Sequence, residues 1–136
     1  MNAGDDLALP ADATAPGIAR RHTRAMALKW NLADLADDAE LVCSELVTNA
    51  VKASQGTDGA VVRLWLATAP DLLVIAVWDA SDELPARPQD WPDGDGGRGL
   101  LVIDALSSHC GASRTFPGKI CFATLREKGQ HDDARK

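Results

Sequence analysis

Apolar positions along the chain fall into blocks with two different periods. From Pro16, a residue suited to the first turn of a helix, Ile18, Ala19, His22, Ala25, Met26 and Leu28 recur at helical spacing up to Trp30. Asn31 and Asp34 then offer a turn and a cap, and a longer helix is predicted from about Asp34 to Ser54, ended by Gln55-Gly56 with Asp58-Gly59 beyond. The period changes to two at Ala60–Ala67 (AVVRLWLA), and Leu72–Trp78 (LLVIAVW) is a continuous apolar run. With turn-like residues from Thr68 to Asp71 between them, these two blocks predict a β-hairpin.

After Asp79 the pattern breaks. The stretch DASDELPARPQDWPDGDGGRG holds three Pro, four Gly and six acids, which predicts one long loop, a kind usually functional or disordered inside a compact domain. It leads into an apolar helical run, Leu100–Leu106. Two last strands fit Ala112–Phe116 and Ile120–Arg126, joined at Pro117-Gly118.

The order helix, helix, strand, strand, loop, helix, strand, strand lacks the regular alternation of a doubly wound parallel sheet. It predicts an α+β fold, a two-layer sandwich with helices on one face of a mixed, mainly antiparallel sheet. Residues 1–15, rich in Ala, Asp and Pro, read as a flexible lead-in with a short edge strand at Leu7–Leu9; residues 16–127 form the domain, and 128–136 a solvated tail.

Composition narrows the class. With 46% hydrophobic and 25% charged residues among 136, the chain has the make-up of one soluble globular domain, and with four Trp, two Phe and no Tyr the core should be aliphatic. A formal charge of −6 and the lack of a dense Lys/Arg run argue against direct nucleic-acid binding and leave a basic protein partner as the easier match. Cys43, Cys110 and Cys121 show no zinc or disulfide spacing and read as small core residues in a reducing compartment. No signal-like opening and no apolar run near the roughly 18 residues of a membrane span point to a cytoplasmic protein away from membranes.

Three places carry candidate chemistry. On the second helix Glu45, Asn49 and Lys52 lie within about 60° of one another, opposite an apolar arc of Ala39, Val42, Cys43, Leu46, Val47, Ala50 and Val51. They either form a solvated face or look into a shared cavity. Asn disfavours helix interiors because its amide competes with the backbone, whereas an Asn oxygen one turn from a carboxylate could hold a hard cation. Asp79 stands where a buried strand stops, as a turn starter or as an acceptor for an exocyclic amine. Gly94-Asp95-Gly96-Gly97-Arg98-Gly99 precedes a helix start, where glycine-exposed amides and unpaired N–H groups suit an anion and Arg98 can add a charged contact.

Two motif matches fail. The same glycines spell G-x-G-x-x-G, but a Pro/Asp loop precedes them in place of a strand. At Gly118-Lys119 a P-loop is excluded by Ile120 where Ser or Thr is needed and Ser113 where the first Gly belongs.

Together these pieces resemble the anti-sigma regulatory factors, small serine protein kinases of the GHKL (histidine kinase-like) ATPase superfamily, from about Arg20 to Leu125. Ser44-Glu45-Leu46-Val47-Thr48-Asn49-Ala50-Val51 is similar to the family's N-box, and Gly97-Arg98-Gly99-Leu100 with Val102 to its second glycine box. The resemblance implies binding of ATP and Mg²⁺. Glu45 would orient or deprotonate the attacking hydroxyl, Asn49 would bind Mg²⁺, and Asp79 would take the adenine amino group. Gly97, Gly99 and the helix start at Leu100 would cradle the phosphates beneath a lid from Asp82 to Asp95, with Lys52 and Arg98 as further phosphate contacts.

The chain departs from the family pattern at three points. Lys52-Ala53-Ser54 stands where many relatives carry a His, no glycine follows Asp79 in Asp79-Ala80-Ser81, and Gly118 is followed by Lys119 where a Gly-Thr pair often closes the adenine pocket.

The function implied by the resemblance is an anti-sigma regulator that binds a sigma factor and phosphorylates a Ser or Thr of an antagonist protein, with a homodimer as a further possibility. The alternative is a non-catalytic or nucleotide-free module that grips a partner and controls a transcriptional regulator.

Overall fold

The computed structural model describes residues 3–81 and 102–127. Five strands form one sheet: β1 (Ala3–Pro10), β2 (Val61–Ala69), β3 (Leu72–Asp79), β4 (His109–Arg114) and β5 (Lys119–Arg126), in the order β1-β2-β3-β5-β4. All four pairings are antiparallel. Two long helices, α1 (Ala15–Lys29) and α2 (Ala36–Ala53), pack on one another and on one face of this sheet. This is the α+β sandwich that the element order predicts.

Both helices begin and end as their sequences direct, with one exception. Pro16 sits in the first turn of α1, and Asp12 Oδ1 accepts the Thr14 N–H at 2.9 Å just ahead of it. Asn31, at φ 61°, turns the chain between the helices, and Gly56 and Gly59, at φ 87° and 72°, follow α2. Asp34, however, does not cap α2. It lies in a 3₁₀ turn, Ala33–Leu35, and Asp37 and Asp38 instead place their charges in the first turn of α2, where the helix dipole favours them.

Small residues set the depth of the packing. Ala15, Ala19 and Ala27 of α1 and Ala36, Ala39 and Ala50 of α2 are buried, so little side-chain bulk separates the two helices. Thr23 Oγ1 reaches Cys43 Sγ at 3.1 Å between the helices, and Arg20 Nη1 donates to Ser44 Oγ at 2.9 Å. Beneath them Val62, Leu64 and Leu66 of β2, Leu73, Ile75 and Val77 of β3, and Leu125 of β5 fill an aliphatic core. Each large side chain buried there contributes about 1.5–3 kcal/mol.

The alternation of β3 places a charge at the edge of this core. Leu73, Ile75, Val77 and Asp79 all point to the helix side, so the strand's last inward residue is an acid. The three cysteines are free, and Cys43 is fully buried.

The N-terminal stretch is more ordered than its composition suggests. Residues 3–10 form an eight-residue edge strand registered on β2 from Ala3↔Thr68 to Pro10↔Val61, where the sequence pattern predicts a loose lead-in with a strand only at Leu7–Leu9. Its polar alternation conceals the strand, because only Leu9 is fully buried and Asp5 faces inward to meet His22 of α1. The last helix is described over residues 102–106. The long loop from residue 82, its Gly94–Gly99 run and the tail lie outside the described residues.

Candidate functional site: a helix stripe and a buried acid

The N-box-like segment occupies the middle of α2. Ala39, Val42, Cys43, Leu46, Val47 and Ala50 turn into the core, as the apolar arc predicts, and Val51 packs against it. Glu45 and Asn49 are half-buried and Lys52 is exposed. Neither Glu45 nor Lys52 makes a hydrogen bond or an ion pair among the described residues, so the stripe is not an ion-paired surface face there.

Asn49 is the informative member. Its Nδ2 is buried and has no hydrogen-bond partner, the single such side-chain nitrogen or oxygen among the described residues. Leaving a buried amide atom unpaired costs about 1–3 kcal/mol. A side chain kept at that cost suits a site completed by something other than this part of the chain.

Asp79 ends β3 with 1% exposure. Its Oδ1 accepts the Ser81 N–H at 2.8 Å, so the acid does start a turn, and the same oxygen meets Lys119 Nζ at 2.8 Å. Lys119 is itself only 6% exposed. The two residues are direct partners in the β3–β5 register. In the sequence Lys119 stands out as part of a failed P-loop match and as a departure from a family pattern, and the ion pair goes unseen. The signal that would have found it is the register: β5 inserts between β3 and β4, and its first residue falls opposite the last residue of β3.

The turn that carries Lys119 is locked to β3. Trp78 Nε1 donates to Thr115 Oγ1 at 3.0 Å and to the Pro117 carbonyl at 3.1 Å, and the Thr115 N–H donates to the Gly118 carbonyl at 2.8 Å. Gly118 passes so close that a Cβ there would lie 2.2 Å from the Asp79 carbonyl oxygen and 2.7 Å from Trp78 Nε1. Its φ of 88° also favours glycine.

Nearby, the Cys121 thiol is pushed up from the ordinary 9.0 to about 11 by burial, opposed by Lys119 and reinforced by Asp79. That environment makes it a poor nucleophile near neutral pH.

Of the other predicted site residues, Gly97, Arg98, Gly99 and Leu100 lie outside the described residues, as does the lid Asp82–Asp95. No group of three or more His, Cys, Asp or Glu side chains is gathered as a metal site among the described residues. A hard cation beside Asn49 would therefore draw on the amide oxygen, ligand phosphates and water, the donor set that suits Mg²⁺. No helix among the described residues is long and apolar enough to cross a membrane.

A helix pair packed on one side of a five-stranded antiparallel sheet is a two-layer α+β sandwich. The histidine kinase-like ATPase domain family matches residues 9–122, and the chain belongs to it. No curated protein matches. Among solved structures the chain is similar to the RsbU and RsbW domains of Rv1364c from Mycobacterium tuberculosis, with a TM-score of 0.65 and 23% identity over 91% of this chain and 32% of that one. It is also similar to the histidine kinase domain of the Erythrobacter litoralis EL346 blue-light activated histidine kinase, with a TM-score of 0.53 and 22% identity over 69% of this chain and 45% of that one. At these identities the likeness is one of fold, and the chain spans about a third and under half of the two structures.

Proposed function

We propose that this domain is an ATP- and Mg²⁺-binding anti-sigma regulatory factor that binds a sigma factor and phosphorylates a Ser or Thr of an antagonist protein. The observation that carries the reading is Asn49, one helical turn from Glu45, whose buried Nδ2 donor is unpartnered among the described residues and so suits an acceptor oxygen of a ligand, inside a family of ATPase domains. The fold likeness to a chain containing an RsbW domain supports the regulatory half of the proposal.

When bound, Mg-ATP supplies a transferable phosphoryl group and the metal charge that neutralises it. Asn49 would hold the metal, and Asp79 would receive the base. Gly97, Arg98, Gly99 and Leu100, with Lys52, would contact the phosphates. Glu45, on the rigid middle of α2, would align the acceptor hydroxyl or remove its proton.

Isothermal titration with Mg-ATP, followed by transfer of labelled phosphate to a candidate antagonist, tests both halves. Binding at or below millimolar concentration and transfer lost in Glu45→Ala are the expected results; no nucleotide binding at millimolar concentration would sink the proposal.

A second reading is favoured by one feature, the Asp79 carboxylate already paired with Lys119. In it the domain grips its partner without catalysis, with nucleotide absent or structural. Partner capture and its response to ATP would then be unchanged in Glu45→Ala and Asn49→Ala.

A further inference from the structure

The two edges of the sheet are guarded differently. β1 carries Asp5, Asp6 and Pro10, residues of the kind that keep a further strand from adding to an edge. β4, the opposite edge, has no acid and no Pro. His109 and Arg114 stand at its ends, the four residues between them are uncharged, and every residue except Cys110 is exposed.

Register fixes which backbone groups this edge offers. The Thr115 N–H donates to the Gly118 carbonyl, so by antiparallel alternation Ser113, Gly111 and His109 exchange bonds with β5. The N–H and C=O groups of Cys110 and Ala112 therefore point away from β5, to a side where the sheet has no further strand among the described residues.

Two apolar groups lie along the same edge. On the sheet face away from the helices, the Phe122 ring leans over Gly111, where a Cβ would sit 3.0 Å from it, and it meets the His109 ring at 5.7 Å between centroids. An incoming residue beside Gly111 thus finds an aromatic ring to pack on. Just past the end of β4, Phe116 is 96% exposed on the turn that Trp78 holds through Thr115 and Pro117. An aromatic side chain on a fixed turn has little backbone entropy left to lose when a partner covers it.

Charge selects the partner. The chain has 20 acids against 14 Lys and Arg, yet residues 105–126 contain no acid. Lys119 and Arg126 are matched by Asp79 and Asp71, and Asp104, which accepts from the Cys110 thiol at 3.7 Å, lies on the helix side of the sheet. A second copy of this acid-free edge supplies no carboxylate, so the complement is an acidic segment of another protein.

We infer that the β4 edge is a docking site for an acidic, extended segment of a partner protein, which adds to the sheet as a sixth strand through Cys110 and Ala112, with Phe122 and Phe116 as its apolar contacts. The inference goes beyond the nucleotide-binding reading and holds whether or not nucleotide binds.

The test uses the full chain and three synthetic peptides of alternating Val and Thr: one flanked by Glu, one flanked by Lys, and the Glu peptide with alternate backbone nitrogens methylated. The Glu peptide should bind about tenfold or more tightly than either of the others, and on binding it should slow hydrogen exchange at the Cys110 and Ala112 amides. Ala112→Pro, which removes an outward N–H and no bond to β5, should weaken it by a similar factor. No binding, equal binding of the Glu and Lys peptides, or full binding of the methylated one would overturn the inference. Slow exchange of both amides in the peptide-free monomer would overturn it too, because the edge would then be covered within the chain, and self-association that protects them would assign it to a second copy instead. The peptide comparison needs no mutation, so an unstable Ala112→Pro protein leaves the test intact.

Discussion

Lys119 stands directly across the β3–β5 pair from Asp79, with its Nζ 2.8 Å from Oδ1 and both residues buried. The pairing joins the ends of two strands that are forty residues apart in the chain. Removing one partner leaves a buried charge without compensation, which costs about 3–5 kcal/mol. Lys119→Met should therefore lower the unfolding free energy by that amount in guanidinium melts, and the double variant Asp79→Leu with Lys119→Met should regain most of it. A single-variant loss below about 1 kcal/mol would mean that the pair is open to water.

Two glycines with nearly the same backbone should respond differently to alanine. Gly56 has φ 87° and open space around its Cβ position, whereas Gly118 has φ 88° and a Cβ position 2.2 Å from a backbone oxygen. Gly56→Ala should cost only the left-handed penalty, about 1–2 kcal/mol. Gly118→Ala adds a clash that the Trp78-anchored turn cannot relieve, and should cost about 3–5 kcal/mol or prevent folding. Chemical denaturation of the two variants in parallel measures the difference.

Asn49→Ala should separate function from stability. In the ligand-free protein it removes a buried amide nitrogen that has no partner and a poor helix former, so stability should hold or rise by up to about 1 kcal/mol. Affinity for Mg-ATP, measured by titration, should fall at least tenfold. A large loss of stability with unchanged affinity would make Asn49 a packing residue.

Burial raises the Cys43 thiol from 9.0 to about 11, against smaller lowering effects of Thr23 and Arg20. Because the folded pKa lies above the unfolded one, the native state holds its proton longer. Stability from this group is fully present below about pH 9 and is lost as pH rises toward about 11, by about 3 kcal/mol at full titration. Urea melts should therefore show a loss of stability as pH rises from about 9 toward 11, with Cys121, also raised to about 11, adding to the fall. Cys43→Ala should flatten the decline, and native Cys43 should resist alkylation at neutral pH.

Local periodicity carried most of the framework. The α1 and α2 helices and the β2–β3 hairpin follow from spacings of 3.6 and 2 together with Pro16, Asn31 and Gly56, because those signals act within a few residues; the last hairpin follows in outline, but its first strand is His109–Arg114 in place of the expected Ala112–Phe116, with Phe116 exposed in the turn. Glu45 and Asn49 were legible for the same reason: one helix sets their common face whatever it packs on. Where the local signal is weak, tertiary pairing decided. The Ala3–Pro10 segment has too few apolar residues to declare itself a strand, and becomes one because the open edge of β2 offers its backbone eight residues of register. Asp34 looks like a cap by type, yet the 3₁₀ turn moves the start of the helix past it.

What the sequence by itself determined was the set of elements, their order, and the stripe of α2 that holds an acid and an amide one turn apart. These are properties of neighbours along a chain. Only the folded sheet decided that Asn49 keeps a buried polar atom unpaired and that Lys119 closes on Asp79. Both depend on which distant segments lie side by side, and the insertion of β5 between β3 and β4 is a choice among strand orders that no local pattern encodes.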